Sequence, residues 1–319
     1  MIRYRIVPIE SRFQIDRTQM KSIHLLRQFY RKYREWHNEL SRSQEINSYI
    51  RNGRKPWSEG YSLFKEKFIQ QSINNDELIE KFNLGLPLPP SYGEFLDDRV
   101  VEYPWLFSRI DRKPSRLLDA GSALNFSYIL QHPNLSKKDI TIVTLEPETS
   151  CYWTNRISYV FGDLRDLPFK DNLFDEVVSI STIEHLGMDN SIYSSNLAFT
   201  EKNKFDFLKA VAELKRVTKL GGKVYITVPY GKYTDFGWYQ QFDAEMIDLL
   251  IETFAPSKLR EIYYCYESGG WTVSDKSYCQ KKEGFNVHDT KYFNSESTKD
   301  YDPDYAAASR AVAALELWK

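Results

Sequence analysis

Residues 116–125 read RLLDAGSALN, and their order decides the fold. Leu117 and Leu118 close a short apolar run after the breaker Lys113-Pro114, the mark of a buried parallel strand. Asp119 falls at the carboxyl end of that strand. Ala120, Gly121, Ser122 and Ala123 are small enough for a tight turn, and Phe126–Leu130 reads as the opening of a helix. A strand, an acid, a small-residue turn and a helix make the corner of an open α/β sheet, and ligands bind outside the strand carboxyl ends there. An ordinary strand-turn-helix has the same pattern, so the reading needs support from the rest of the chain.

The ligand chemistry narrows quickly. No Gly-Lys-Ser/Thr follows, so the turn is not a phosphate loop. Ala123 and Phe126 stand where a dinucleotide fingerprint needs glycine. An acid at this place repels a pyrophosphate and suits a cation. S-adenosylmethionine carries an ammonium and a sulfonium and no phosphate.

Downstream, the strands recur on schedule. Ile140–Leu145 reads as the second strand and closes on Glu146-Pro147. Glu146 follows Asp119 by 27 residues, near the spacing at which a second-strand carboxylate grips a ribose diol. Such a carboxylate accepts both diol hydrogens. Ile157–Phe161 reads as the third strand, with Asp163 placed to accept from an adenine amine and Leu164 to lie against the ring. Phe174–Ser181 is the fourth strand, ending in Thr182-Ile-Glu184-His185. A helix spans about 205–219 and stops at Leu220-Gly221-Gly222. Val224–Val228 is the fifth strand, 244–254 a further helix, and 260–266 with 311–318 a closing antiparallel pair. Residues 267–305 are polar, aromatic and weakly patterned.

Bulk properties bound the alternatives. At 319 residues with 27% charged residues and a net charge of −1, the chain has room for one large globular domain and an extension. No apolar run reaches the roughly 18–20 residues of a membrane span, and the start lacks a signal-peptide core. Cys151, Cys265 and Cys279 have no metal-ligand spacing, and three sparse cysteines point to a reducing, cytoplasmic setting. Asp189 and Asp243 have no supporting spacing either, so no metal is expected. Residues 1–60 carry 13 Lys and Arg against 6 Asp and Glu, a net +7. Within 17–40, Ile23, Leu26, Tyr30, Tyr33, His37 and Leu40 fall on one helical face opposite a basic one. That face suits packing on the main domain or a homodimer contact, or a peripheral membrane surface. Nucleic acid is not expected as a partner, given the overall charge. Glycine and proline breaks place a domain boundary near Pro90. Residues 1–90 read as a basic helical extension and 91–319 as the main domain.

Taken together, RLLDAGSALN, TLEPE, GDLRDLPFKDNLFDEVVSISTIEHLGM and AELKRVTKLGGKVYITVPYG resemble, in order and spacing, the class I S-adenosylmethionine-dependent methyltransferases. The EHLGM and VPYGK segments look most like methyltransferases of polysaccharide and glycan gene clusters. The resemblance covers about 95–319. It implies a Rossmann-like α/β fold, a seven-stranded mostly parallel sheet with helices on both faces, its last strand antiparallel. It implies S-adenosylmethionine as cofactor, with Asp119, Gly121 and Ser122 at the methionine end, Glu146 on the ribose, and Asp163 and Leu164 at the adenine. Ala123 and Asn125 depart from the family's later glycines.

The function expected is O-methylation of a carbohydrate or related small acceptor. Removing a hydroxyl proton asks for a base near neutral pKa. His185 is the candidate, with Glu184 beside it, and bracing of the loop is the competing role. Tyr230, Tyr233, Trp238 and Tyr239 follow the fifth strand and suit stacking on a sugar, as they also suit ordinary packing. A catalytically silent scaffold acting through the basic helix is the alternative, and the retained Asp119, Glu146 and Asp163 weigh against it.

Overall fold

The structure, a computed structural model, describes residues 39–153, 156–191, 200–284 and 286–319. The amphipathic stretch 17–40, with its membrane or homodimer reading, lies outside them except for its last two residues. No helix among the described residues is long and apolar enough to cross a membrane.

One mixed sheet organises the chain. Strands β1 (Arg116–Ala120), β2 (Asp139–Thr144), β3 (Ile157–Phe161), β4 (Phe174–Ile180) and β5 (Thr218–Pro229) run parallel in the order β3-β2-β1-β4-β5. A two-residue hairpin, β6 (Thr234–Asp235) and β7 (Gln240–Gln241), stands apart. Strands β8 (Lys258–Glu267), β9 (Gly270–Ser274) and β10 (Ala311–Trp318) complete the sheet, β10 antiparallel between β5 and β8, and β9 on the far edge. The order reverses at β1 and β4, which opens a crevice over their carboxyl ends.

Alternation along each strand fills both faces. Leu117, Val178, Tyr225, Val312 and Ala314 point into one core, and Leu118, Val177, Val224, Ala313 and Leu315 into the other. Helices Phe207–Val217 and Ala244–Phe254 cover the second face. The first is covered by a helical stretch over 39–51 (α1), by Tyr61–Ile73 (α2), Asp76–Leu84 (α3) and Arg99–Phe107 (α4). Tyr49, Tyr61, Ile69 and Phe82 therefore share a core with Leu117 and Tyr264. Helices α2 and α3 are separate, because the Asn75 side chain accepts from Leu78 N at 3.0 Å and starts a new helix.

Helix α4 contains Pro104, which has no N–H for the Val100 carbonyl one turn back. The Tyr92 hydroxyl fills that place, donating to Val100 O at 2.7 Å.

Three sequence expectations need correction. The sheet has eight strands, not seven, because Gly270 at φ +101° turns the chain tightly against the Tyr92 carbonyl and returns it as β9. Leu220-Gly221-Gly222 does not end a helix. The helix ends at Val217, and β5 begins at Thr218 with an irregular register that carries those residues past β4. The turn after β1 leads only to a one-turn helix, Ser127–Leu130.

That turn is strapped down at several points. Asp119 is fully buried and accepts from Ala123 N at 3.1 Å and Leu124 N at 2.8 Å. Burial lifts its carboxyl to about 7. Gly121, at φ +116°, passes so close to Thr182 that a Cβ would lie 2.2 Å from the threonine methyl. Asn125, at a family glycine position, donates to Ser150 O and accepts from the Tyr159 hydroxyl at 2.8 Å.

Two substitutions probe this framework. Asp119→Asn places an amide N–H₂ against a backbone N–H, and should lower stability by about 1–3 kcal/mol, the cost of a buried unsatisfied donor. Urea unfolding measures it, and an unshifted midpoint would show that the carboxylate does not hold the turn. Glu102, fully buried on α4, accepts from the half-exposed Arg99 guanidinium and from the Ser181 and Thr227 hydroxyls, so Glu102→Ala should cost about 1–3 kcal/mol by stranding those donors. Calorimetric melting should register a clear drop in Tm.

Candidate functional site

A cleft of about 400 Å³ opens at the carboxyl ends of β1, β2 and β3 and at the end of β4. Gly121, Glu146, Asp163, Leu164, Ser181 and His185 are among its lining residues. Glu146 sits directly after β2 with its side chain half-exposed to the cleft. Asp163 follows β3, and Arg165 grips it through both carboxylate oxygens at 2.6–3.0 Å. The same guanidinium reaches Glu201 and Asp206. These contacts hold the Asp163 carboxyl below the usual carboxylate range although burial works against them.

A second cavity, about 240 Å³, lies on the other side of Arg99, Ser181 and His185, which line both. Its wall is aromatic and continuous. Trp57 meets Phe293 (centroids 5.6 Å apart), Phe293 stacks on His288 (4.3 Å), His288 meets Trp238 (4.6 Å), and Trp238 meets His185 (5.3 Å). Asp97, Asp98, Lys65 and Glu184 supply the polar part of the lining.

The partition between the cavities is built on Glu102. It is fully buried on α4 and takes the Arg99 guanidinium at 2.5 Å on one oxygen. The other oxygen accepts from the Ser181 hydroxyl at 2.5 Å and from the Thr227 hydroxyl at 2.6 Å. Ser181, at φ +39°, directly follows β4, and Thr227 lies on β5. One carboxylate thus pins the mouths of two strands to the helix that carries Arg99.

His185 closes a 3₁₀ turn, Ile183–His185, just beyond β4. Its Nδ1 lies 2.9 Å from the Trp238 carbonyl. A carbonyl only accepts, so Nδ1 carries the proton and Nε2 is the basic nitrogen. Burial lowers the imidazole to about 4, against the weaker pull of that carbonyl. The sequence reading assumed an unperturbed ring, and desolvation corrects it. Glu184 is 2% exposed, its Oε1 is 3.9 Å from His185 Nε2, and burial raises its carboxyl well above the usual range.

The other sequence candidates divide. Gly121, Glu146, Asp163, Leu164 and His185 meet in the first cleft, and Glu184, Trp238 and Tyr239 line the second cavity. Asp119 and Ser122 line neither, since Asp119 is spent on the turn beneath the cleft. Tyr230 is fully buried against Tyr263 at 5.0 Å, part of the core rather than of either cavity. Tyr233 is at the surface, with the Lys204 ammonium 4.9 Å from its ring. Residues without an assigned role in the sequence reading, Arg99, Asp98, Lys65 and His288, join the site. A signal existed for the first two: Asp97-Asp98-Arg99 and Glu102 punctuate a helix otherwise made of VV, YPWLF. Among the described residues, no group of three or more His, Cys, Asp or Glu is arranged to hold a metal ion.

The cleft suits S-adenosylmethionine. Its volume is that of a small-molecule site, Gly121 leaves the floor open where a Cβ would collide with Thr182, and a carboxylate stands at the end of β2. Residues 120–226 match the methyltransferase domain family. No curated protein matches the chain. Among solved structures it is similar to the 1,6-didemethyltoxoflavin-N1-methyltransferase of Burkholderia thailandensis, at 12% identity and a TM-score of 0.39, over 89% of this chain and 90% of that one. It is also similar to a possible histamine N-methyltransferase from Thermotoga maritima, at 14% identity and a TM-score of 0.38, over 86% and 97%. Likenesses this distant bear on neither substrate nor mechanism. The domain match marks residues 120–226 as a methyltransferase domain, carried on an α/β sheet whose cleft suits S-adenosylmethionine.

Proposed function

We propose that the enzyme methylates a hydroxyl of a carbohydrate or related small acceptor held in the second cavity. The observation that carries this reading is the shared rim: the cofactor cleft and the aromatic cavity meet at Ser181 and His185. Aromatic faces such as Trp238 and Tyr239 suit the apolar face of a sugar ring. The glycan gene-cluster resemblance of the EHLGM and VPYGK segments points the same way.

S-adenosylmethionine supplies an electrophilic methyl: the acceptor oxygen forms a C–O bond as the C–S bond breaks, and the electron pair leaves with sulfur in S-adenosylhomocysteine. This chain's residues align the partners and exclude water. Glu146 accepts from the ribose diol, Asp163 and Leu164 take the adenine, and Gly121 lets the methionine end approach the backbone. His185 Nε2 takes the hydroxyl proton. The Trp238 carbonyl fixes its tautomer, and burial keeps the imidazole neutral at physiological pH while weakening it as a base, so it takes the proton as the oxygen becomes acidic with C–O bond formation.

Glu146→Ala should weaken S-adenosylmethionine binding by roughly 1–3 kcal/mol, the worth of charged hydrogen bonds to the diol. Titration calorimetry reads this directly, and unchanged affinity would move the ribose elsewhere. His185→Ala should cut kcat by about 10²–10⁴-fold with cofactor affinity preserved. Because only the neutral ring accepts a proton, the wild-type limb due to His185 should rise with pH through about 4 and lie flat between 6 and 8. A mutant with near-normal kcat and a raised acceptor KM would make His185 a brace instead.

A further inference from the structure

The second cavity holds more acid than base. Lys65 pairs with Asp97, and Arg99 pairs with Glu102. Among the described residues, neither Asp98 nor Glu184 has a lysine or arginine ion pair. The Asp98 side chain accepts, among the described residues, from the Ser309 hydroxyl, at 2.7 Å. Glu184 is 2% exposed, and its Oε2 has no hydrogen-bond partner among the described residues. A buried carboxyl oxygen left without a partner is costly even in the neutral acid that burial favours, unless a ligand satisfies it. The histidines add no positive charge, since burial lowers both His185 and His288.

We infer that this cavity recognises an acceptor bearing a protonated amine, its ammonium bound by Asp98 and Glu184 against the Trp238–His288–Phe293 wall. The inference rests on the acceptor reading above and narrows it to amine-bearing hydroxyl compounds, of which an amino sugar is the carbohydrate form. Ring faces and carboxylates together are the chemistry that holds an ammonium. The ammonium has no lone pair, so it anchors the acceptor while the hydroxyl oxygen reacts. A neutral polyol would leave the charge of ionised Asp98 unanswered, while the buried Glu184 carboxyl, raised well above the usual range, contributes an acceptor oxygen.

A pH dependence follows. Asp98 faces Asp97, Arg99 and Glu102 from its own segment, Lys65 from α2, Glu184 and His185 from the turn after β4, and His288 and Ser309 from the carboxyl-terminal part. Burial and the neighbouring acids raise its carboxyl to about 7. An ammonium prefers the ionised acids, so its binding should tighten as pH rises through about 7.

The test compares benzylammonium with benzyl alcohol, two probes alike in ring and differing in charge. Calorimetry is run on the full chain saturated with S-adenosylhomocysteine. Benzylammonium should bind at least tenfold more tightly than the alcohol at pH 8, and the advantage should shrink below pH 7. Asp98→Asn and Glu184→Gln should each lower the ammonium affinity about tenfold and leave the alcohol and S-adenosylhomocysteine unaffected. Equal binding of the two probes, no binding of the ammonium, or an advantage that persists in the double variant overturns the inference. The wild-type comparison stands if a variant fails to fold. Loss of S-adenosylhomocysteine binding itself would instead strike at the methyltransferase reading.

Discussion

The site depends on one buried carboxylate. Glu102 sits in an almost wholly apolar helix, where an unpaired charge is prohibitive. It is tolerated because Arg99, Ser181 and Thr227 together satisfy it. Each of those partners is thereby fixed, and each matters elsewhere: Arg99 and Ser181 form the rim between the two cavities, and Thr227 receives the backbone of Ser181 as well, at 3.1 Å. The strand mouths cannot drift apart without stranding charge in the core. The tie is a positioning device built into α4, ahead of β1 in the chain.

The same economy governs the turn over β1. Asp119 stands where an acid was expected to meet the methionine end of the cofactor, yet its oxygens are occupied by Ala123 and Leu124. Those two bonds set the shape of the turn beneath the cleft. Asn125 acts alike: in place of a flexible glycine it joins the turn to the segment after β2 and to Tyr159 on β3. Departure from the family pattern here replaces freedom with a lock.

Strands were legible because a parallel sheet buried on both faces writes itself as short apolar runs between breakers, as in β1, β3, β4 and β10. The acid after β2 was legible by spacing. What escaped was whatever depended on distant pairing. Strand β9 has five residues and gains its identity only from β8 beside it. The start of β5 looked like a helix stop because glycines at 221 and 222 carry no mark of the irregular register they occupy. Tyr230 and Trp238 were equivalent in sequence, both aromatics after the fifth strand. Packing against Tyr263 sent the first inward, and contact with His288, fifty residues on, turned the second into a wall. The depressed basicity of His185 likewise comes from burial that its neighbours in the chain do not announce.

The two cavities also differ in authorship. The cofactor cleft is drawn mostly from residues 120–226, the stretch that matches the methyltransferase domain. The second cavity takes only Ser181, Glu184 and His185 from it; Trp57, Lys65, Asp97, Asp98, His288 and Ser309 come from before and after. The segment that matches the methyltransferase domain therefore builds the first cleft, and the second cavity is encoded largely in flanking sequence that folds back over the same rim. Sorting chains by the shared segment would group them by the first cleft, whereas sorting them by the residues at 57–65, 97–99 and 287–309 would group them by the second cavity.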